Sequence, residues 1–267
     1  MKKLDWAWWI NRIQQLGYLP NFYCSVPYLC ASNVRLVQDT EWIFVVDDGI
    51  NMFPPVPLNN EVLQSIPVPP YSYIWSGLEG WEAPEGFQKT VLDWQYIFNP
   101  EHFLTMEGHE WATFRKNARK WPERHGSLHM VPHEKVPAKD RMHLVGDWLE
   151  GKADVAYDAP TMANYLFHSH PDTQVQCLVD AKGVLWAIIA WDYNWRFINF
   201  RYCLVRPDNA FLEEYVRLSF YLLPCIQLDT RCVNDGGIVD NPGLEIFKDH
   251  MNPTKKIQTY SWVKIDK

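Results

Sequence analysis

A chain of 267 residues, 47% hydrophobic and 21% charged, has the length of one or two folded domains and is too apolar to be disordered. Its net charge of −7 excludes a protein that wraps nucleic acid over a broad basic surface, but leaves room for one local basic site. The uncharged stretch Ser65–Leu78 contains Pro67, Pro69 and Pro70 and is shorter than the ~20 residues of a membrane span. At the start, Asp5, Asn11 and Arg12 interrupt any apolar leader. Six cysteines without a Cys-x-x-Cys pair fit free thiols in a reducing cytoplasm, which is the expected location.

In chain order, the first helix is expected at Trp6–Leu16, capped by Asp5, with Trp6, Trp9, Ile10, Ile13 and Leu16 on one face and Gly17 at its end. Two strands, Val34–Val37 and Trp42–Asp47, flank a turn at Asp39-Thr40, and Asp48-Gly49 makes a second turn. The proline-rich Pro54–Pro70 reads as an ordered crossing. Asn99-Pro100-Glu101 is a helix start, and the helix runs to Trp121, where Pro122 stops it. Its apolar face is Leu104, Trp111, Phe114, Ala118 and Trp121. Its other face carries Arg115, Lys116, Arg119 and Lys120, like charges at i,i+4 that cost ~0.2–0.5 kcal/mol per pair. A basic stripe on an acidic chain reads either as an anion-binding surface or as a solvated face.

Gly126–Lys139 is the expected junction between two lobes, 1–130 and 131–267. Helices are expected at Arg141–Leu149 and Ala159–Phe167. A meander then follows: Val175–Val179, Val184–Trp191 and Phe197–Val205. After it come a helix from Asn209 to Leu223, a strand at Arg231–Asn234, a helix Pro242–Met251 capped by Asn241, and a last strand Ile257–Lys264. The pattern is α+β.

The order of meander, helix, strand, helix and strand is similar to the core of GNAT-type acyltransferases. The tail from Asn234-Asp-Gly-Gly through Pro242-Gly-Leu-Glu-Ile-Phe-Lys248 to Asn252-Pro253 resembles the ending of the Fem-like and phosphatidylglycerol lysyltransferase C-terminal-like families. Asp93-Trp-Gln-Tyr-Ile-Phe-Asn99, followed by Phe114-Arg-Lys-Asn-Ala-Arg-Lys-Trp121, resembles the signature of their first lobe. The resemblance implies two GNAT-like lobes in tandem, each a mixed, mainly antiparallel sheet flanked by helices. It also implies transfer of an acyl or aminoacyl group to an amine or hydroxyl. Three departures qualify it. Arg206-Pro-Asp-Asn-Ala-Phe-Leu-Glu-Glu214 has no glycine where relatives that use CoA have a glycine loop, and Pro242–Met251 has no tyrosine to act as general acid. The membrane-embedded portion of full lysyltransferases is missing from this sequence, which puts a lipid acceptor in doubt.

Acyl transfer needs an amine deprotonated, a carbonyl polarised and a leaving group protonated. The candidates for acid or base are Asp192, Tyr202, and His168 or His170 just upstream; Asp192 and Tyr202 also have a plain reading as turn or core residue. Arg115, Lys116, Asn117, Arg119, Lys120, Asn234 and Lys248 are the candidate substrate-binding residues. Cys203, Leu204, Val205, Asn209 and Ala210 are the candidate donor-binding ones, because GNAT-type strands splay here and the next helix offers free N–H groups. The donor is acyl-CoA or aminoacyl-tRNA, a phosphate-bearing molecule that allows a local nucleic-acid contact. No metal is expected: His168-Ser-His170 has no third ligand at a familiar spacing, and neither His109-Glu110 nor His133-Glu134 extends to His-Glu-x-x-His. The competing reading is a binding module of the same fold without chemistry, recognising nucleic acid or protein.

Overall fold

The computed structural model describes residues 5–39, 41–47, 50–59, 73–74, 79, 81–82, 85–150, 152, 159–168, 170–238 and 241–265. Helix α1 (Trp6–Gln15) starts where expected, with the Asp5 carboxylate accepting from the Trp8 amide at 2.8 Å and Trp9 and Ile13 buried. A short helix that the periodicity does not reveal, α2 (Val26–Ala31), follows, capped by Ser25. Strands β1 (Arg35–Asp39) and β2 (Trp42–Asp47) form the expected hairpin, joined by the two-residue strands β3 (Ile50–Asn51), β4 (Val56–Pro57) and β5 (Tyr73–Ile74). The Asp48-Gly49 turn and most of the Pro54–Pro70 run lie outside the described residues.

Strand β6 (Phe87–Phe98) is the longest strand of the first half. The helix expected from Asn99 to Trp121 is two helices, α3 (His102–Thr105) and α4 (Ala112–His125). They part at Met106 and Gly108, both left-handed (φ 47° and 97°). The φ of Gly108 is one that L side chains rarely adopt, so glycine suits this break. Trp111, Phe114, Ala118 and Trp121 are buried as expected, whereas Leu104 is 60% exposed. Pro122 sits inside the last part of α4 rather than ending it.

Strand β7 (His129–Pro132) comes next, then α5 (Ala138–Glu150) and α6 (Ala159–Phe167). The expected meander is present as β8 (Gln174–Val179), β9 (Leu185–Tyr193) and β10 (Phe197–Val205). Helix α7 (Leu212–Tyr221) begins three residues later than the sequence pattern places it, after a left-handed Phe211 (φ 70°). Helix α8 (Pro224–Gln227), β11 (Cys232–Asn234), α9 (Pro242–His250) and β12 (Lys255–Lys264) complete the described chain. Asn241 caps α9 as expected, accepting from the Leu244 amide at 3.0 Å.

The strands join into one sheet in the order β1-β2-β3-β5-β12-β6-β11-β10-β9-β8-β7, with β4 beside β2. It is mixed and mainly antiparallel, with parallel pairing at β10–β11 and β3–β5. The halves meet at β11 and β6, and β12 leaves the second half to pair with β6 along ten positions. Helices cover both faces: Phe114, Trp121, Val216 and Phe220 of α4 and α7 pack with Trp191, Ile198 and Phe200. Leu144, Val145, Tyr165 and Leu166 of α5 and α6 pack with Ile188, Ala190 and Leu204. This α+β arrangement sets a concave space against the open end of β10.

Candidate functional site

Strands β10 and β11 run together for only three positions, Phe197–Cys232, Ile198–Val233 and Asn199–Asn234. Beyond Asn199, β10 continues to Val205 alongside β9, while β11 turns into a loop, 235–238, held to β6 by the Asp235 amide and the Tyr96 carbonyl (2.9 Å). Into the resulting gap opens a cavity of about 760 Å³, within the ~300–1,000 Å³ usual for ligand sites. Phe200 to Leu204 of β10 form one wall, Asp235 to Gly237 another, and Phe22, Tyr23, Tyr28 and Leu29 of the N-terminal segment a third.

Two buried charge clusters hold these walls. The register of β10 slips between Phe200 and Tyr202, and Arg201 is the extra residue. Its guanidinium grips Asp192 from Nε (2.8 Å) and Nη2 (3.0 Å), and donates to Ser25 Oγ (2.7 Å) and the Phe22 carbonyl. Asp192, fully buried, also accepts from Ser25 Oγ (2.7 Å), Tyr165 Oη (2.9 Å) and Asn199 Nδ2 (2.8 Å). Burial works to lower the Arg201 pKa, but the Asp192 charge and hydrogen bonds outweigh it and hold it above the ordinary value. Burial and the Asp192 charge push the Tyr165 phenol well up.

The second cluster joins α7, the 235–238 loop and α9. Arg217 binds Asp235 Oδ2 and Glu213 Oε1 (3.0 Å). Lys248, 2% exposed, lies 3.4 Å from Asp235 Oδ1 and donates to the carbonyls of Asp235, Gly236 (3.2 Å) and Gly237 (2.8 Å). Burial lowers its pKa, partly offset by Asp235. The Asp93 carboxylate closes the loop from the other side, accepting from the Ile238 amide at 3.1 Å, and a Cβ on Gly237 would stand 1.6 Å from Asp93 Oδ2. The loop is therefore drawn between a lysine and a carboxylate, with glycine where they leave no room.

Of the residues named from sequence, Tyr202, Cys203, Leu204 and Lys248 line the cavity. Val205, Asn209 and Ala210 do not. Asn209 Nδ2 turns back to the Pro207 carbonyl (2.7 Å), and Asp208, Glu213 and Glu214 surround the start of α7 with carboxylates. Like charge there opposes a pyrophosphate. Asn234 is buried, bonded to Gln95 Oε1 (2.8 Å) and accepting from the Gly236 amide (3.0 Å), so it shapes the loop rather than facing the cavity.

The basic stripe also lies elsewhere. The cavity face of α7 carries Glu213 and Arg217, while its other side meets α4, with Asn117 Nδ2 on Glu214 Oε1 (3.1 Å) and Lys120 Nζ 4.1 Å from the Phe211 ring centroid. Arg115 is spent on the Met106 carbonyl, and Lys116 and Arg119 are exposed on the outer surface. Helix α7 stands between the stripe and the cavity. Among the described residues no group of three or more His, Cys, Asp or Glu could hold a metal ion, and no described helix is long and apolar enough to cross a membrane.

Arg201, Arg217, Asp235 and Asp93 are the site residues that sequence reasoning missed. Asp93 and Asp235 stand inside the two runs that carry the family resemblance, which is the signal that could have found them.

The chain matches no protein-family profile and no curated protein sequence. Among solved structures it is similar to a conserved protein of unknown function from Bacteroides thetaiotaomicron (TM-score 0.64, 12% identity, 98% of each chain). It is similar to the C-terminal domain (DUF2156) of a putative lysylphosphatidylglycerol synthetase from Agrobacterium fabrum (0.61, 12%, 97% of this chain and 92% of that one). It is also similar to L-PGS from Bacillus licheniformis (0.62, 13%, 90% and 86%). The fold is of the lysylphosphatidylglycerol-synthetase type. At these identities the likeness is one of fold.

Proposed function

We propose that this chain is an acyl- or aminoacyl-transferase that carries a group from a phosphate-bearing donor to an amine, working in the cavity along the open edge of β10. The carrying observation is the parting of β10 and β11 after Asn199, where a cavity meets backbone groups freed from strand pairing. Such groups call for a ligand or water. In this reading the donor carbonyl lies along Phe200–Leu204, and N–H groups of that edge polarise it. Lys248 and Arg217 supply positive charge to the oxyanion, and Tyr202 is the acid for the leaving group. Asp192, with five hydrogen bonds and no open side, serves to position Arg201 instead of acting as base. The two lobes, taken as 1–130 and 131–267, exchange an edge, since β12 of the second closes the sheet of the first.

Between the two donors, the carboxylates at the start of α7 favour aminoacyl-tRNA over CoA, and exposed Lys116 and Arg119 suit a large polyanion outside the cavity. Six free thiols fit a reducing compartment. The test is a thermal-shift comparison of aminoacyl-tRNA, its aminoacyl-adenosine fragment and acyl-CoAs. A rise with the first two supports the reading, and no rise with any donor refutes it.

A second reading, a binding module without turnover, is favoured by one feature: Asp235 and Lys248 are already paired inside the wall. A donor that binds and raises the melting point but is never consumed would establish it.

A further inference from the structure

A second cavity, of about 590 Å³, opens on the opposite side of segment 24–27 and takes no part in the transfer reading. It is lined by Asn11 and Gln14 of α1, Pro27, Asp172 and Gln174, and Tyr193 and Trp195 of the β9–β10 turn, with Arg231 at its edge. Its one cation, Arg231, is matched from within. Arg231 is held by Asp229 through Nε (2.9 Å) and Nη2 (2.6 Å), spends Nη1 on the Asn194 carbonyl (2.8 Å), and lies over the Tyr193 ring. Asp172 stands in solvent 3.6 Å from His170, whose Nδ1 accepts from the Asp172 amide (3.2 Å). Its carboxylate opposes a phosphate and can accept from a hydroxyl.

What remains free is uncharged. The side-chain amides of Asn11, Gln14 and Gln174 have no partner among the described residues, and Asn11 and Gln14, three apart on α1, share one exposed face. An amide donates and accepts at once, as a hydroxyl does, so each can take two neighbouring hydroxyls. Tyr193 and Trp195 add half-buried ring surface for an apolar C–H face. An extended peptide would need a strand edge, but β9 is paired on both sides, with β8 and β10, and segment 24–27 is tied into the cap of α2. Amides, rings and a carboxylate able to accept from hydroxyls together match a sugar.

We propose that this second cavity binds an uncharged, hydroxyl-rich ligand, a pyranose unit, through the Asn11, Gln14 and Gln174 amides and the Tyr193 and Trp195 rings. Ser25, which lines it, is also hydrogen-bonded to Arg201 and Asp192, so an occupant touches the wall of the larger cavity. The proposal does not depend on transfer chemistry.

The test uses the intact chain with saturation-transfer NMR and calorimetry. The probes are glucose, galactose, N-acetylglucosamine and its disaccharide, with glucose 6-phosphate and tetraglycine as comparisons. Binding of a neutral sugar at millimolar concentration or below is expected. The affinity should fall by about tenfold or more in Asn11→Ala/Gln14→Ala, whose exposed helix positions tolerate alanine, and in Gln174→Ala. Three results overturn the proposal: no neutral sugar binds at millimolar concentration, tetraglycine or the phosphorylated sugar binds better, or the substitutions leave sugar affinity unchanged.

Discussion

Replacing Arg201 by methionine isolates what the larger cavity wall depends on. The substitution keeps much of the side-chain length but removes both contacts to Asp192 and those to Ser25 and the Phe22 carbonyl. Asp192 is left fully buried with only Ser25, Tyr165 and Asn199 as donors. Leaving one charge of a buried pair uncompensated costs about 3–5 kcal/mol. The three surviving donors favour the lower end, since hydrogen bonds to a charge contribute ~1.5–3 kcal/mol each. At 2–4 °C per kcal/mol for a chain of this order, the melting point should fall by roughly 6–12 °C. Asp192→Leu should cost a similar amount by stranding Arg201. The double variant Arg201→Met/Asp192→Leu strands no charge, so it should cost clearly less than the two single changes together. Urea unfolding of the four proteins measures the cycle, and hydrogen exchange should show faster opening at 22–28. Single variants within about 1 kcal/mol of the parent, or strictly additive costs, would refute the reasoning.

Cys203→Trp should fill the mouth of the gap beside β10, leaving a folded protein that no longer gains the ~2.7 kcal/mol a donor at 100 times its dissociation constant confers on the parent; calorimetry with and without donor reads this directly. Alkaline stability should fall because burial pushes the Cys24 and Cys177 thiols up to about 12. Unfolded thiols ionise near ~8.5, so this stabilisation is complete below that pH and is lost towards about 12. The loss amounts to ~1.4 kcal/mol per pH unit per thiol, and a Cys24→Ala/Cys177→Ala variant should show a flatter alkaline limb in urea titrations. Gly237→Ala should cost ~1–3 kcal/mol, because Asp93 must swing away and release the Ile238 amide, whereas Gly146→Ala meets nothing within 4 Å and should not destabilise. Equal melting points for these two alanine variants would contradict the packing of the 235–238 loop.

The second half was legible because its strands alternate or run apolar between polar turns, and because α9 announces itself with Asn241 and Pro242. The first half was less so. In β6, Gln88 to Val91 face solvent while Gln95 to Phe98 are buried, and the slip past Leu92 in its pairing with β12 shifts the phase of its pattern. The break between α3 and α4 had its signal in Gly108, but the caps at Asn99 and Pro122 outweighed it. The candidate site was half legible. Lys248 and Cys203 came from resemblance and strand position, but Arg201 could not be found by periodicity, since it is the residue added at a bulge. Asp192 is nine residues away, but the other partners, Phe22 and Ser25, lie 179 and 176 residues off, and only the fold brings them together. The distance of the basic stripe from the cavity was not legible, because a sequence shows which charges share a helix face, not which helix stands behind it.

Transfer in the cavity beside β10 is open to direct measurement. The purified chain would be incubated with aminoacyl-tRNA labelled in the aminoacyl group, or with labelled acyl-CoA, and a pool of small amines, peptides and amino sugars. Mass spectrometry would then follow the label. The account predicts label in an amine product, faster from aminoacyl-tRNA than from acyl-CoA. Loss of the product should be about a hundredfold or more in Lys248→Met, as for removal of a charge-stabilising donor, and should also follow Cys203→Trp. Donor bound without any labelled product would mark a binding module, and neither binding nor product from any donor would contradict the account altogether.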